Sequence, residues 1–230
     1  KTGGCMIFDL SYIINYDWWD YMKRVSLKPL EVSDAGEVYE LCRGTFREEY
    51  HITEERILES LFEDPDFSAE ESKKIVDEKN GRMIGFIGVK VSHNEQLYPA
   101  SAWISIFAVK KEEQGKGYGT MVLNQVCQSL HKNGINKIYV GQDFNNFFSG
   151  IPDPDEGKEI FFKKNGFTLN RDRHFDLEAD ITDNRLIDSF DTSSFDKEFT
   201  VASYKDNKKE LLGFLEREFP GRWIFEAEEA

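Results

Sequence analysis

Cysteine is scarce. Cys5, Cys42 and Cys127 are odd in number and lack metal-ligand spacing, which excludes a disulfide framework and fits reduced thiols in a cytoplasmic protein. The four histidines (His51, His93, His131 and His174) form no metal motif. No run of 18 apolar residues is present, so no membrane span is expected. Basic residues are outnumbered: 29 Lys and Arg face 43 Asp and Glu, a net charge of −14. That balance lacks the basic face a nucleic-acid partner needs. It suits a cationic amine substrate, and equally an acidic surface kept for solubility. Hydrophobic residues at 40% and aromatics at 14% are ample for a packed core, so disorder is not expected over most of the chain. The 230 residues amount to one ordinary domain plus a remainder.

The most informative stretch is Ile104–Leu130. Ile104, Ile106 and Ala108 alternate with Ser105 and Phe107, and Val109 closes a strand-like run. Gly115, Gly117 and Gly119 follow at alternate positions. From about Thr120 the period changes: Val122, Val126 and Leu130, with Leu123 and Cys127 beside them, predict an amphipathic helix that Asn133-Gly134 ends. The order is strand, glycine turn, helix.

The first turn of a helix has backbone N–H groups without intrahelical partners, at the positive end of the helix dipole. Glycines let that backbone curl and let a bulky anion approach, and a pyrophosphate is the natural guest. The pattern is G-x-G-x-G with Lys116 followed by Gly117, which fits neither the Walker loop nor the G-x-G-x-x-G fingerprint. The plainer alternative is a turn that only joins a strand to a helix.

Elements on both sides are regular. Val25, Leu27 and Leu30 predict a first strand, with Pro29 suggesting an edge. Ser33 or Asp34 caps a helix running to about Phe46, and Thr53 starts a second helix, TEERILESLF. Residues 73–77 form a second strand, Asn80-Gly81 turns into a third (MIGFIGVKV), and 100–109 is the fourth. After the central helix, KIYV (137–140) is a fifth strand, 156–164 a helix, and Gly166-Phe167 opens another strand.

Gln114-Gly115-Lys116-Gly117-Tyr118-Gly119 resembles the Q/R-x-x-G-x-G/A signature of the GCN5-related N-acetyltransferase (GNAT) family, and stands where that family has it. The β-α-α-β-β-β order ahead of the loop matches the family as well. The resemblance implies an α/β (α+β) fold: a mixed, mainly antiparallel central sheet flanked by helices. It also implies acetyl-CoA as co-substrate, with no metal. Cofactor contacts carry over to Phe107, Ala108 and Val109 of the fourth strand, where backbone groups hold the pantetheine and the oxyanion. They carry over likewise to Gln114, Gly115, Lys116, Gly117, Tyr118, Gly119 and Thr120. A splay between the fourth and fifth strands would open the cofactor slot.

The family's late motif, an aromatic pair followed by x-x-x-Gly-Phe, is matched by Phe161 to Phe167. In many members the second aromatic is a tyrosine that returns a proton to the thiol; here it is Phe162, which has no hydroxyl. Ordinary helix-face packing is the plain account of Phe162. The reaction needs an uncharged amine about 3 Å from the thioester carbon, a proton acceptor and an oxyanion site. As proton acceptors, Asp143 falls near the slot by topology and His93 ends the third strand, and a solvent-exposed or loop-structural role is the stronger expectation for each. No catalytic residue is assigned. Residues 145–157 resemble the Phe-x-Gly-Ile/Val-Pro stretch of bacterial tandem-domain members, a lid where the acceptor would enter; a plain Ω-loop is the alternative.

Residues 1–21 fit a tag remnant, an upstream peptide or an aromatic arm, with Met22 a possible start. The acetyltransferase domain is expected over 22–182 and a linker over 183–197. Residues 198–230 would open a second GNAT-like repeat, with a strand at 199–203 and a helix at 208–219, as in a fragment of a longer tandem protein. Such a piece is too short to bury a core of its own. The expected activity is transfer of an acetyl group from acetyl-CoA to a primary amine of a small molecule by direct attack. The alternative is a catalytically weak or inactive acyl-CoA-binding sensor or interaction module. The acceptor and the oligomeric state are open.

Overall fold

The structure is a computed structural model, and it describes residues 2–8, 24–152, 156–175, 203–219 and 221–229. Two compact units divide the chain, Lys1–Phe175 and Asp176–Ala230.

In the first unit the apolar alternating runs become strands: β1 (Thr2–Phe8), β2 (Val25–Pro29), β3 (Lys73–Asp77), β4 (Arg82–Val91), β5 (Ser101–Val109), β6 (Lys137–Val140), β7 (Ile151–Pro152) and β8 (Phe167–Phe175). They form one eight-stranded sheet in the order β2-β3-β4-β5-β6-β1-β7, with β8 paired to β1. Every pairing is antiparallel except β5 with β6. The mixed, mainly antiparallel sheet is as expected. The helices are α1 (Ala35–Thr45), α2 (Glu54–Ile57), α3 (Tyr118–Lys132) and α4 (Glu156–Lys164).

Three differences from the sequence-based expectations matter. Thr2–Phe8, where no strand is expected, is an interior strand: Met6 pairs with Val140 of β6 on one side and Leu169 of β8 on the other. The second helix changes form midway, since Leu58–Phe62 is π-helical and Glu63 N–H bonds the Leu58 carbonyl at 2.8 Å. The central helix starts at Tyr118 rather than at about Thr120, because Gly117 supplies a left-handed N-cap with φ 86°.

The sheet is covered on both faces. On one, Ile87, Val89, Ile104 and Val109 pack with Val122, Leu123 and Val126 of α3 and with Phe162 of α4. On the other, Phe86, Ile106 and Ala108 pack with Val38 and Leu41 of α1 and with Ile57 and Leu61. Each such side chain contributes about 1.5–3 kcal/mol by leaving water. Both faces of β4 and β5 are therefore dry, and a polar side chain on either strand must find its partner inside the protein.

The second unit, described by itself, holds α5 (Tyr204–Glu218) and α6 (Arg222–Glu229). The expected helix at 208–219 falls on α5 except for Phe219, which is its C-cap; the N-cap is Ser203. The expected linker and, but for Ser203, the expected strand lie outside the described residues.

Candidate functional site

β6 runs beside β5 only as far as the Ile104–Val140 pair, and β5 continues to Val109. The last such contact is the Gly141 N–H to the Ile104 carbonyl, 2.9 Å. Beyond it the two strands part, and one edge of β5 is open.

The register shows which peptide groups face the opening. Lys110 N–H bonds the Ile84 carbonyl of β4, so by alternation Ala108 and Ile106 turn their peptide groups to β4. Phe107 and Val109 turn theirs to the open side, where Gln114 Nε2 donates to the Val109 carbonyl at 2.8 Å. Of the three β5 residues carried over from the family, Phe107 and Val109 thus present backbone to the slot and Ala108 does not. Ser105 is the extra residue of a β-bulge, since Gly88 pairs with Ile106 and Val89 with Ile104. Bulges re-aim side chains beside active sites.

The glycine turn closes the far end of the open edge. Gly115 and Gly117 have φ of 74° and 86°, the left-handed region only glycine enters freely. The first helical bond of α3 is Met121 N–H to the Gly117 carbonyl, 3.0 Å. The amides of Gly119 and Thr120 therefore have no acceptor within the helix. A side chain on Gly115 would meet nothing within 4 Å, whereas one on Gly119 would touch the Phe107 and Phe161 rings at 3.4 Å. Lys116 pairs with Glu113 at 3.0 Å, and the Tyr118 side chain is buried in the core. This cradle fits a pyrophosphate through backbone amides rather than through lysine charge.

A narrow cavity of about 50 Å³ occupies the splay, walled by Ser105, Phe107, Gly141, Phe148, Lys158 and Phe162 among others. Phe148 packs on Phe46 and Tyr50, each with ring centroids 5.4 Å away. Phe46 also borders a wider groove of about 550 Å³ between the end of α1 and residues 47–53, lined by Glu40, Arg43, Glu48 and His51. The loop after β6 is anchored. Asn145 Nδ2 donates to the Glu59 carbonyl at 3.1 Å, and Arg56 Nη2 to the Asn146 carbonyl at 3.2 Å. Gly141 allows the loop to fold back, because a Cβ there would lie 2.6 Å from the Phe148 carbonyl.

The two candidate proton acceptors separate. His93 is 73% exposed and held by Asp66, with Nδ1 2.8 Å from Oδ1. Asp143 is 1% exposed, not a solvent-facing loop residue. Its Oδ2 lies 2.6 Å from Lys90 Nζ and accepts from Ser105 Oγ at 2.8 Å. Lys90 also donates to Asp64 Oδ2 and to the Phe144 carbonyl, both at 2.8 Å. Burial pushes the Asp64 carboxyl above the usual carboxylate range, against the opposing pull of Lys90. Sequence reasoning missed Lys90 and Ser105. A signal existed for Lys90, a lysine in a strand flanked by apolar runs with no solvent side. Phe162 sits among Phe107, Phe161 and Phe167 as ordinary packing, with ring centroids 5.2–6.3 Å away. Among the described residues no His, Cys, Asp and Glu cluster could hold a metal ion, and no helix is long and apolar enough to cross a membrane.

The fold has counterparts among known proteins. The model of the acetyltransferase (GNAT) family matches residues 35–149. A structure described as a GCN5-related glucosamine N-acetyltransferase region of a fungal multi-domain GH3 β-N-acetylglucosaminidase superposes with a TM-score of 0.74 at 20% identity. That match covers 89% of this chain and 24% of the fungal one, so the chain spans about a quarter of that relative's length. A GCN5-related N-acetyltransferase from Sphaerobacter thermophilus gives 0.52 at 16% identity over 74% of this chain and 48% of its own. An aminoglycoside acetyltransferase from an uncultured soil metagenomic sample gives 0.50 at 16% identity over 69% and 98%. No curated protein sequence matches. With half of its length matched by the family model, and with the splayed strands and glycine turn in place, the chain belongs to the GNAT acetyltransferase family.

Proposed function

We propose that the protein is an acetyl-CoA-dependent N-acyltransferase acting on a primary amine of a small molecule. The observation that carries this reading is the open edge of β5 running from Ser105 to Val109 into the left-handed glycines 115 and 117. A pantetheine chain laid along that edge would bond the peptide groups of Phe107 and Val109 as an added strand does. Its pyrophosphate would meet the amides of Gly115 to Thr120 at the positive end of α3. Gln114 would hold the Val109 end of the edge in place.

The thioester would then lie in the splay beside Ser105, under Phe148. An acyl thioester is already activated, so direct attack by the amine needs placement, proton removal and an N–H donor for the oxyanion. The acceptor would arrive through the groove bordered by Phe46, whose volume is within the range of ordinary ligand sites. The net charge of −14 favours a cationic amine, while on the groove itself Glu40 and Glu48 are balanced by Arg43 and Arg47. Glucosamine and aminoglycosides, named for two of the similar structures, make amino sugars the first acceptors to try.

A second reading is an acyl-CoA-binding module with weak turnover or none, and Phe162 favours it because it cannot return a proton to the thiol. One experiment separates the two. Calorimetric titration with acetyl-CoA comes first, followed by thiol release across amino sugars, polyamines and amino acids. Binding with acceptor-dependent release supports the enzyme. Binding without release on any amine supports the module, and no binding contradicts both.

A further inference from the structure

The charged group beneath the splay is built in a way that packing does not require. Lys90 lies on β4, Asp64 on the loop after the second helix and Asp143 just past β6, and all three are buried. An ammonium has three N–H donors, and Lys90 places them on Asp64 Oδ2, Asp143 Oδ2 and the Phe144 carbonyl. Two carboxylates against one ammonium leave the trio with a net charge of −1 inside the protein. Taking up one proton neutralises it. Uncompensated charge at such depth is costly, so the trio has a built-in demand for one proton.

That demand has an outlet. Ser105 Oγ donates to Asp143 Oδ2 at 2.8 Å, and the same residue lines the splay. The β-bulge makes this possible. Ile104 packs on the α3 face and Ile106 on the α1 face, with Ser105 inserted between them and aimed at Asp143.

We propose that Ser105 and Asp143 form a proton relay for the acceptor amine, with Asp143 taking the proton and Lys90 and Asp64 positioning it. The proposal rests on the acetyltransferase reading above. As the amine nitrogen bonds to the thioester carbon, the carbon–sulfur bond breaks and the thiolate leaves with its electron pair. The proton released by nitrogen passes to Ser105 Oγ while the serine proton passes to Asp143 Oδ2. The neutral trio later returns the proton through Ser105 to the CoA thiolate, and the balance is one amide and one thiol. Ser105 is the residue that touches the amine; Asp143, Lys90 and Asp64 act behind it.

The other charged groups facing the trio are few. Asp66, beside Asp64, raises its carboxyl and is itself held by His93. Lys158 also borders the splay. Burial also raises Asp64, which is the direction that proton uptake by the trio requires.

The test uses the full chain with acetyl-CoA and whichever panel amine is turned over. Calorimetry reads cofactor binding, and kcat against pH reads the relay. Ser105→Ala should leave acetyl-CoA affinity within about threefold while lowering kcat by roughly 10²-fold, the usual scale for one proton-transfer group. It should also move the acidic limb of the kcat profile, which a purely structural serine would not do. Ser105→Thr, which keeps the hydroxyl, should restore most of kcat. Ser105→Ala with wild-type kcat and an unchanged pH profile overturns the relay and leaves the acetyltransferase reading standing. Failure of the wild type to bind acetyl-CoA overturns that reading and the relay with it. Binding without transfer to any amine likewise overturns the relay.

Discussion

Lys90 Nζ lies 2.6 Å from Asp143 Oδ2, with both side chains 1% exposed. The pair fastens β4 to the segment that turns back over the splay, and Asp64 brings in the loop after the second helix. Lys90→Met removes the cation and leaves two buried carboxylates facing each other. A loss of about 3–5 kcal/mol is expected near pH 7, the usual cost of breaking a buried pair from one side. The loss has a pH signature. Without Lys90 the Asp64 carboxyl, already raised by burial, loses the pull that lowers it, so protonation on going down toward pH 5 removes buried charge and the deficit against wild type shrinks. Urea unfolding at pH 7 and pH 5 reads both effects; an equal deficit at the two values would contradict the account.

Gly141 should accept no side chain. Its φ is 66°, and a Cβ would stand 2.6 Å from the Phe148 carbonyl and 2.8 Å from the Gly150 nitrogen, both backbone atoms. Gly141→Ala must push residues 148–150 away from β6, at a cost of roughly 1–3 kcal/mol by the overpacking scale. Because Phe148 walls the splay, acetyl-CoA affinity should fall along with the melting temperature. A variant with wild-type melting and affinity would show that the loop is not seated there.

Cys42 and Cys127 are buried and free, and burial pushes each thiol up to about 12. At pH 8 the thiolate fraction at such values is roughly one in 10⁴, so alkylation should be blocked until the protein unfolds. Iodoacetamide labelling with mapping by mass spectrometry should find both residues unmodified in the native state and modified in urea. Native labelling of either would contradict its place in the core.

Interior position makes β1 a structural strand and not an ornament. It pairs with β6 on one side and with β8 on the other. Deleting residues 1–8 would expose both neighbours as unpaired edges. A lower melting temperature and a less cooperative transition are expected; an unchanged melt would mean that the sheet closes without it.

Much of the fold is legible from local pattern. KIYV is β6 to the residue, KKIVD is β3, and the glycine turn stands between strand and helix where its spacing puts it. The failures share one cause, which is distance along the chain. Residues 2–8 become a strand only by pairing with Phe167–Phe175, some 160 positions away, so no local alternation could announce them. Asp143 resembles any loop aspartate until Lys90 and Ser105 arrive from two other strands. Lys90 stands in a nearly continuous apolar run, MIGFIGVKV, which marks a strand without a solvent side but does not name the partners of the lysine. It is buried because helices cover both faces of β4, a tertiary fact that a two-residue period does not contain. The bulge at Ser105 needs the register of β4 against β5 to be seen at all.

In the proposed function, the turn Gly115–Gly119 would carry the pyrophosphate of acetyl-CoA. The most direct measurement is calorimetric titration of acetyl-CoA into the wild-type protein and into Gly117→Asp. Aspartate is among the few residues that tolerate the left-handed backbone of Gly117, φ 86°, so the variant should stay folded. Its carboxylate would stand against the phosphates at the head of α3. Binding in the wild type, weakened at least about tenfold in the variant with the melting curve retained, is the predicted result. Equal affinity in the two proteins, or none in the wild type, would contradict it.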